Sequence, residues 1–177
     1  EFRRVLFRSW APEIGIETEF EARLPALPPL AGLALYRTLQ EALTNVLRHS
    51  VAKVQQAHPF AIHAWVVLPD HLHCVIELPP DDADFAKRWR LIKMGFSKAL
   101  PHGEARSAVR ARRGERGIWQ RRFWEHLIRD EADFRAHMDY VHINPVKHGL
   151  VEHVADWPYS TFHGLVAHGV YARDWGG

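Results

Sequence analysis

The sequence is poor in cysteine, and this scarcity excludes several classes of protein. Its 177 residues include one cysteine, Cys74, so no disulfide can form within the chain and no cysteine-based zinc site is available. The sequence has no apolar run long enough to cross a bilayer, and its first residues do not follow the pattern of a secretory signal peptide. With 47% hydrophobic residues, we expect one folded domain with a substantial core.

The charge of the chain is nearly balanced in total but unevenly distributed. The formal net charge is +2, yet residues 86–129 carry 13 basic and 3 acidic residues, while residues 1–85 and 130–177 each have a net charge of −4. A basic segment of this kind is typical of a surface that binds nucleic-acid phosphates. A solvated, arginine-rich loop has the same composition, so charge alone leaves both interpretations open.

Hydrophobic periodicity predicts a mixed α+β domain. Two strand-like segments are separated only by Pro69 and Asp70, which indicates a β-hairpin. The order of elements favours an antiparallel, ferredoxin-like sheet with helices on one face. The expected elements are helices over 31–57, 85–100 and 130–142, strands over 61–68, 71–78 and 118–128, and a mobile loop over 102–117.

The N-terminal segment has an unusual sequence. Residues 1–9 resemble the translated end of a DNA-sequencing adapter, and we set them aside as an artefact when predicting the fold. Residues 14–20 alternate apolar and polar side chains and could form a short strand before a proline-rich stretch. Residues 10–177 are expected to form a single domain.

His71 and His73 lie two residues apart on the second predicted strand. Side chains at i and i+2 of a strand point to the same face, so the two imidazoles would lie side by side, with Leu72 on the opposite face. This arrangement suits a divalent metal ion. Because the chain has 13 histidines, a chance pair of partly exposed surface histidines is the alternative.

Tyr140 and Asn144 lie four residues apart near the end of the third predicted helix and would share one face of it. The Asn144 amide oxygen could complete a metal site with the two histidines. A metal ion with open positions can polarise a phosphodiester, and a nearby phenol can attack the phosphorus as a covalent nucleophile. The alternative is a core tyrosine followed by an Asn-Pro helix end.

Aromatic and basic residues are interleaved in the basic segment. Bases can stack on exposed rings while neighbouring cations bind the backbone, which suits single-stranded DNA. The same rings could instead be core residues with solvated basic neighbours. The candidate DNA-binding residues are Arg88, Arg90, Lys93, Arg112, Arg113, Arg121 and Arg122, and the aromatic ones are Trp89, Trp119, Phe123 and Trp124.

Four segments resemble the REP-associated tyrosine transposases, a group within the single-tyrosine HUH transposases. Each segment alone is moderately specific, whereas the four in this order are highly specific, and the resemblance extends over about residues 31–175. The segments are 64–73 (AWVVLPDHLH), 119–126 (WQRRFWEH), 140–151 (YVHINPVKHGLV) and 156–161 (DWPYST).

The resemblance implies a ferredoxin-like sheet and a transposase that acts on single-stranded or hairpin DNA, especially hairpins of repeated extragenic palindromes. It implies that Tyr140 is the nucleophile and forms a 5′-phosphotyrosine. It also implies that His71, His73 and Asn144 hold Mg²⁺ or Mn²⁺. The implied protein is bacterial, cytoplasmic and nucleoid-associated, works as a monomer or homodimer, and has no membrane partner.

One departure from the family pattern concerns the strand that normally precedes the first helix, near the middle of the sheet. The adapter-like segment stands in its place, so the native first strand could be missing and the sheet could have an exposed edge. Three other functions also remain open, and the unusual N-terminus bears on the third. They are a metal-dependent phosphodiesterase that uses water, a nucleic-acid-binding protein without catalysis, and a truncated remnant without function.

Overall fold

The computed structural model describes residues 3–10, 29–103, 106–120 and 123–177. Within these residues the chain forms a four-stranded antiparallel sheet in the order β2-β3-β1-β4. The strands are β1 (Arg3–Trp10), β2 (Ala61–Val67), β3 (His71–Leu78) and β4 (Trp124–Leu127), and the helices are α1 (Pro29–Ala57), α2 (Phe85–Ala99), α3 (Ala108–Arg112), α4 (Glu131–Lys147) and α5 (Phe162–Ala167). A helix long and apolar enough to cross a membrane is not found among the described residues.

The strand β1 lies in the interior of the sheet, between β3 and β4. It pairs with β3 along its whole length, from Arg3 opposite Leu78 to Trp10 opposite His71. The segment that the sequence analysis set aside therefore fills the position where a missing strand was expected. That residues 1–9 derive from an adapter stays a prediction, and the strand proposed over 14–20 lies outside the described residues.

The helices cover both faces of the sheet. Alternate side chains of β3 point to opposite faces, so Leu72, Cys74 and Ile76 join one apolar cluster and Val75 joins another, with Val141 of α4. The first cluster also contains Leu47, Val51, Val54, Trp89, Ile92 and Phe96, from α1 and α2. The antiparallel α+β fold is confirmed, with the difference that α4 lies on the face opposite α1 and α2.

Two segments around the basic region differ from their expected structure. The strand predicted over 118–128 is reduced to the four residues of β4. Ile118 is buried in the core and the ring of Trp119 lies 5.1 Å from that of Phe96, so this part of the chain packs on α2 instead of extending the sheet. The loop predicted over 102–117 contains α3, whose first turn is capped by the Ser107 hydroxyl.

The helix α4 extends to Lys147 and includes Pro145, whereas the sequence predicted its end near residue 142. Proline lacks one backbone donor and is costly in the middle of a helix. Here it stands within the last turn, where Gly149 at φ +67° reverses the chain and its N–H donates to Val146. The N–H of Leu150 donates to the Pro145 carbonyl, which completes a Schellman motif at the end of the helix.

Candidate active site

The two histidines of β3 are buried beneath α4. His71 is 3% exposed and His73 is fully buried, and their ring centroids lie 4.9 Å apart at 81°. The alternation of β3 turns both rings to the face that α4 covers, as the spacing predicted. Their burial excludes the alternative of two partly exposed surface histidines.

Tyr140 lies on the face of α4 that is turned toward these histidines. Its half-buried ring meets the His73 ring edge-on, with centroids 5.2 Å apart at 85°. Asn144, one turn further along, is 1% exposed, and its Nδ2 donates to the Tyr140 carbonyl. Its Oδ1 is buried and accepts no hydrogen bond from the described residues, so an oxygen ligand is available on the helix face that Tyr140 shares. A divalent ion fits this donor set.

Asp70 orients the first histidine. The Nδ1 of His71 donates to Asp70 Oδ1 over 2.6 Å, which selects the tautomer with the lone pair on Nε2. Metal-binding histidines commonly have such a carboxylate partner, which fixes the ring and makes it a better ligand. From the sequence, Asp70 is expected only as part of the β2–β3 turn. Its position directly before His71 was the signal for this second role.

Two further residues at the end of α4 border the site, and the sequence analysis did not select either of them. The ring of His148 lies 5.1 Å from that of His71, and Lys147 Nζ lies 5.2 Å from the centre of the Tyr140 ring. His148 follows Asn144 by four residues and therefore shares its face of the helix. The four-residue spacing between Asn144 and His148 was not used because the helix was predicted to end near residue 142, before His148.

A cleft of about 590 Å³ opens beside His71 and Asp70. Its walls are mainly apolar side chains of α1 together with the β2–β3 turn, and the end of α4 closes one side. Clefts of this size commonly bind a small organic group. The described part of the lining includes Tyr36, Leu39, Leu43, Trp119, His148 and Leu150.

The expectation that Arg88 binds DNA phosphates is wrong. Arg88 is only 4% exposed, and its guanidinium donates to the carbonyls of His58, Pro59 and Asp84 and to Asp82 Oδ2. The Arg88 hydrogen bond lowers the pKa of Asp82 to about 2. Arg88 therefore joins α2 to the connection between α1 and β2.

The other basic candidates differ in accessibility. Arg90, Arg112 and Arg113 are exposed, so they remain available to a phosphate backbone. Lys93 donates to the Gln120 carbonyl over 2.7 Å and lies near two aromatic rings, and burial lowers its pKa. Two candidates, Arg121 and Arg122, lie outside the described residues.

The aromatic residues of the basic segment are divided between core and surface. Trp89 is buried, and Trp119 and Phe123 pack against the core beneath α2. Trp124 is 52% exposed on β4, and its ring stacks on that of His126 at 6.0 Å. Of the four aromatic candidates, Trp124 therefore fits a base-stacking role best.

A second tyrosine, Tyr159, has a packing role. The Tyr159 hydroxyl donates to the Arg37 carbonyl over 3.3 Å, and its ring contacts Trp157. The Trp157 indole in turn donates to the Val67 carbonyl. Tyr159 thus helps to hold the segment after α4 on β2, and its hydroxyl is already engaged with the Arg37 carbonyl.

Comparison with known proteins finds two relatives of the same family. A REP-associated tyrosine transposase of Escherichia coli (strain K12) is 52% identical over 133 residues, which are 75% of this chain and 73% of the relative. A relative from Haemophilus influenzae that carries the same family name is 47% identical over 135 residues, 75% of this chain and 76% of its own. No protein-family model matches the sequence.

A solved structure of a REP-associated tyrosine transposase bound to a REP hairpin has the same fold. It is 40% identical, superimposes with a TM-score of 0.67, and the match covers 99% of this chain and 86% of the other. By fold and by relatives, the chain is an enzyme of the tyrosine transposase class. More narrowly, it belongs to the REP-associated tyrosine transposase family.

Proposed function

We propose that the chain cuts and rejoins single-stranded DNA, with Tyr140 as the nucleophile and repeat-hairpin DNA as the substrate. The observation that carries this proposal is the juxtaposition of Tyr140 with His73 on the face where His71 and Asn144 also lie. The related transposase solved with a REP hairpin supports the same class of DNA for this chain.

The residues that would hold Mg²⁺ or Mn²⁺ are His71, His73 and Asn144. The buried Asn144 Oδ1 supports this assignment, because an amide oxygen without a hydrogen bond is costly to bury unless a cation or water reaches it. Two imidazoles favour Mn²⁺ over Mg²⁺, which prefers oxygen ligands. When bound, the ion would neutralise charge on the scissile phosphate and polarise it.

The nucleophilic step is attack of the Tyr140 hydroxyl on the scissile phosphate. Its phenol oxygen forms a bond to phosphorus, the bond from phosphorus to the 3′ oxygen breaks, the phenol proton passes to solvent or a nearby base, and the leaving 3′ oxygen takes up a proton from solvent. The products are a 5′-phosphotyrosine and a free 3′-OH. Attack by an incoming 3′-OH reverses the step and restores the tyrosine, so a strand can be rejoined without another source of energy.

The remaining side chains position the reactants. Asp70 orients His71 through its Nδ1, and Lys147 brings a cation close to the Tyr140 ring, where it can contact a phosphate oxygen. Exposed Arg112 and Arg113 would bind the backbone of the hairpin, and Trp124 would stack on an unpaired base.

Covalent capture tests this function directly. Wild-type protein is incubated with end-labelled hairpin DNA and Mn²⁺ and analysed under denaturing conditions. We expect a shifted, denaturant-stable band that disappears in Tyr140→Phe and in the presence of a chelator. The matched control, Tyr159→Phe, changes a packing tyrosine and should keep the band.

Two results would contradict the proposal. If Tyr140→Phe cleaves DNA as well as the wild type and no covalent band forms, water is the nucleophile and the chain is a phosphodiesterase. If folded wild type binds the hairpin but neither cleaves it nor forms an adduct, the chain is a binding protein without catalysis.

A further inference from the structure

A second group of potential metal ligands lies between β4 and the first half of α4, within about two turns before Tyr140. His126 of β4 and Asp133 and His137 of α4 each offer one ligand atom, and these atoms lie within 4.8 Å of one another. We propose that these three residues bind a first-row transition-metal ion, with Zn²⁺ as the best fit, in a site separate from His71 and His73.

The Asp133 carboxylate lies between the two imidazoles. Its Oδ2 is 2.9 Å from His126 Nε2, and its Oδ1 is 2.9 Å from His137 Nδ1. The two rings are stacked, with centroids 4.5 Å apart and planes 20° from parallel. Tetrahedral Zn²⁺ places its ligand atoms about 3.4 Å from one another, so small side-chain rotations would accommodate the ion.

The backbone around Asp133 holds its carboxylate in place. The Arg129 N–H donates to Asp133 Oδ2 over 3.0 Å, and the Asp133 N–H donates to the N-cap side chain of Asp130. The His126 hydrogen bond, followed by the Arg129 N–H, holds the pKa of Asp133 below its usual range, against the opposing effect of burial. The carboxylate is therefore ionised near neutral pH, as a metal ligand must be.

The donor set favours Zn²⁺ over Mg²⁺, and nitrogen and oxygen sites generally bind Zn²⁺ more tightly than Mn²⁺. Imidazole nitrogens suit zinc and its neighbours in the first transition row, whereas Mg²⁺ prefers an all-oxygen shell. Three protein ligands also leave one tetrahedral position open for water. All three side chains are half-buried, so an ion can reach them from solvent.

An ion at this position would join two elements that otherwise share few bonds. The strand β4 is an edge strand that pairs with β1 over four residues, and α4 carries Tyr140. Coordination by His126 from the strand and by Asp133 and His137 from the helix would fix the first half of α4 against the sheet. The site is thus structural and does not depend on the chemistry proposed for Tyr140.

The test removes the competing ligands first. In a His71→Ala/His73→Ala background, Zn²⁺ binding is measured by equilibrium dialysis with metal analysis, and Co²⁺ is used as an optical probe. We expect about one bound Zn²⁺ per chain and Co²⁺ absorption bands typical of tetrahedral coordination. Adding His137→Ala should weaken binding at least tenfold.

The matched control is His168→Ala in the same background. The Nδ1 of His168 bonds the carbonyl of Gly164 four residues earlier, as that of His137 bonds the carbonyl of Asp133. This control should bind Zn²⁺ as the background does. His126→Gln is the second test variant, and the circular dichroism of each metal-free variant verifies its fold. The proposal is overturned if the folded background binds no Zn²⁺, or if either folded test variant binds it as tightly as the control.

Discussion

His142 has a different environment from the active-site residues two positions before and after it. Tyr140 and Asn144 face β3, whereas His142 bonds Thr161 Oγ1 over 3.0 Å and contacts the ring of Phe162. Two residues correspond to about 200° around a helix, so side chains at this spacing point in nearly opposite directions. His142 therefore points away from the proposed metal site.

Burial of His142 predicts a specific loss of stability in acid. Burial lowers its pKa from 6.5 to about 4, although the Met138 backbone and Asp139 oppose the shift. Below pH 6.5 the unfolded chain takes up a proton there while the folded chain does not, so stability falls until about pH 4. The difference in pKa corresponds to roughly 3 kcal/mol at most.

Urea unfolding at pH 7 and pH 4.5 measures this effect. His142→Gln keeps a polar group near Thr161 but cannot titrate, so it should lose less stability between the two pH values than the wild type. His168→Gln removes an exposed histidine and should behave like the wild type. If the stability of His142→Gln falls between the two pH values as much as that of the wild type, then folding does not keep His142 neutral.

At the scale of elements, the end of α4 determines which side chains reach the site. The helix continues past Pro145 and ends in the Schellman motif at Gly149, so His148 lies within its last turn and reaches the His71 ring. If the helix ended near residue 142, Asn144 would not keep its helical spacing from Tyr140. The length of α4 therefore decides which side chains border the site.

We predict that Gly149→Ala destabilises the protein by about 1 kcal/mol, because an alanine at φ +67° is strained. No described atom lies within 4 Å of the added Cβ, so the cost comes from the backbone and not from a clash. Gly164→Ala in α5 is the control, since its φ is ordinary and its surroundings are equally open. Urea unfolding should separate the two variants, and equal stability would contradict the prediction.

The sequence predicted regular elements well and irregular ones poorly. The bounds of α1, α2, β2 and β3 agree with periodicity and capping to within a few residues. The predicted end of α4 near residue 142 was wrong because the sequence treated Pro145 as the end of the helix, although α4 includes it. The predicted strand over 118–128 was too long because burial of Ile118 against α2 competes with strand pairing. Both errors arise where tertiary contacts override a local preference.

At the scale of the whole molecule, the basic segment contains both a buried and an exposed arginine. Arg88 is buried and hydrogen-bonds the connection between α1 and β2, whereas Arg112 lies on the surface in α3. We predict that Arg88→Ala lowers the free energy of unfolding by about 2–4 kcal/mol, because it leaves buried carbonyls and Asp82 without their donor. Arg112→Ala should leave stability nearly unchanged but weaken hairpin binding and reduce its salt dependence.

Urea unfolding and hairpin binding over a range of salt concentrations test this division. Each variant serves as the control for the other, because both remove one arginine of the same basic segment. If Arg88→Ala has the same free energy of unfolding as the wild type, the hydrogen bonds of the Arg88 guanidinium contribute little to stability. A binding curve of Arg112→Ala that matches the wild type at every salt concentration would remove Arg112 from the DNA-binding surface.

The sequence by itself determined the alternation that puts His71 and His73 on one face of a strand, and the helical spacing that aligns Tyr140 with Asn144. Both follow from the periods of local structure, which need no knowledge of the rest of the chain. Only the tertiary structure decided that these two faces meet, that Arg88 is internal, and that His126 of β4 lies beside Asp133 and His137. Those contacts join residues distant in the chain, and packing of the helices on the two faces of the sheet creates them.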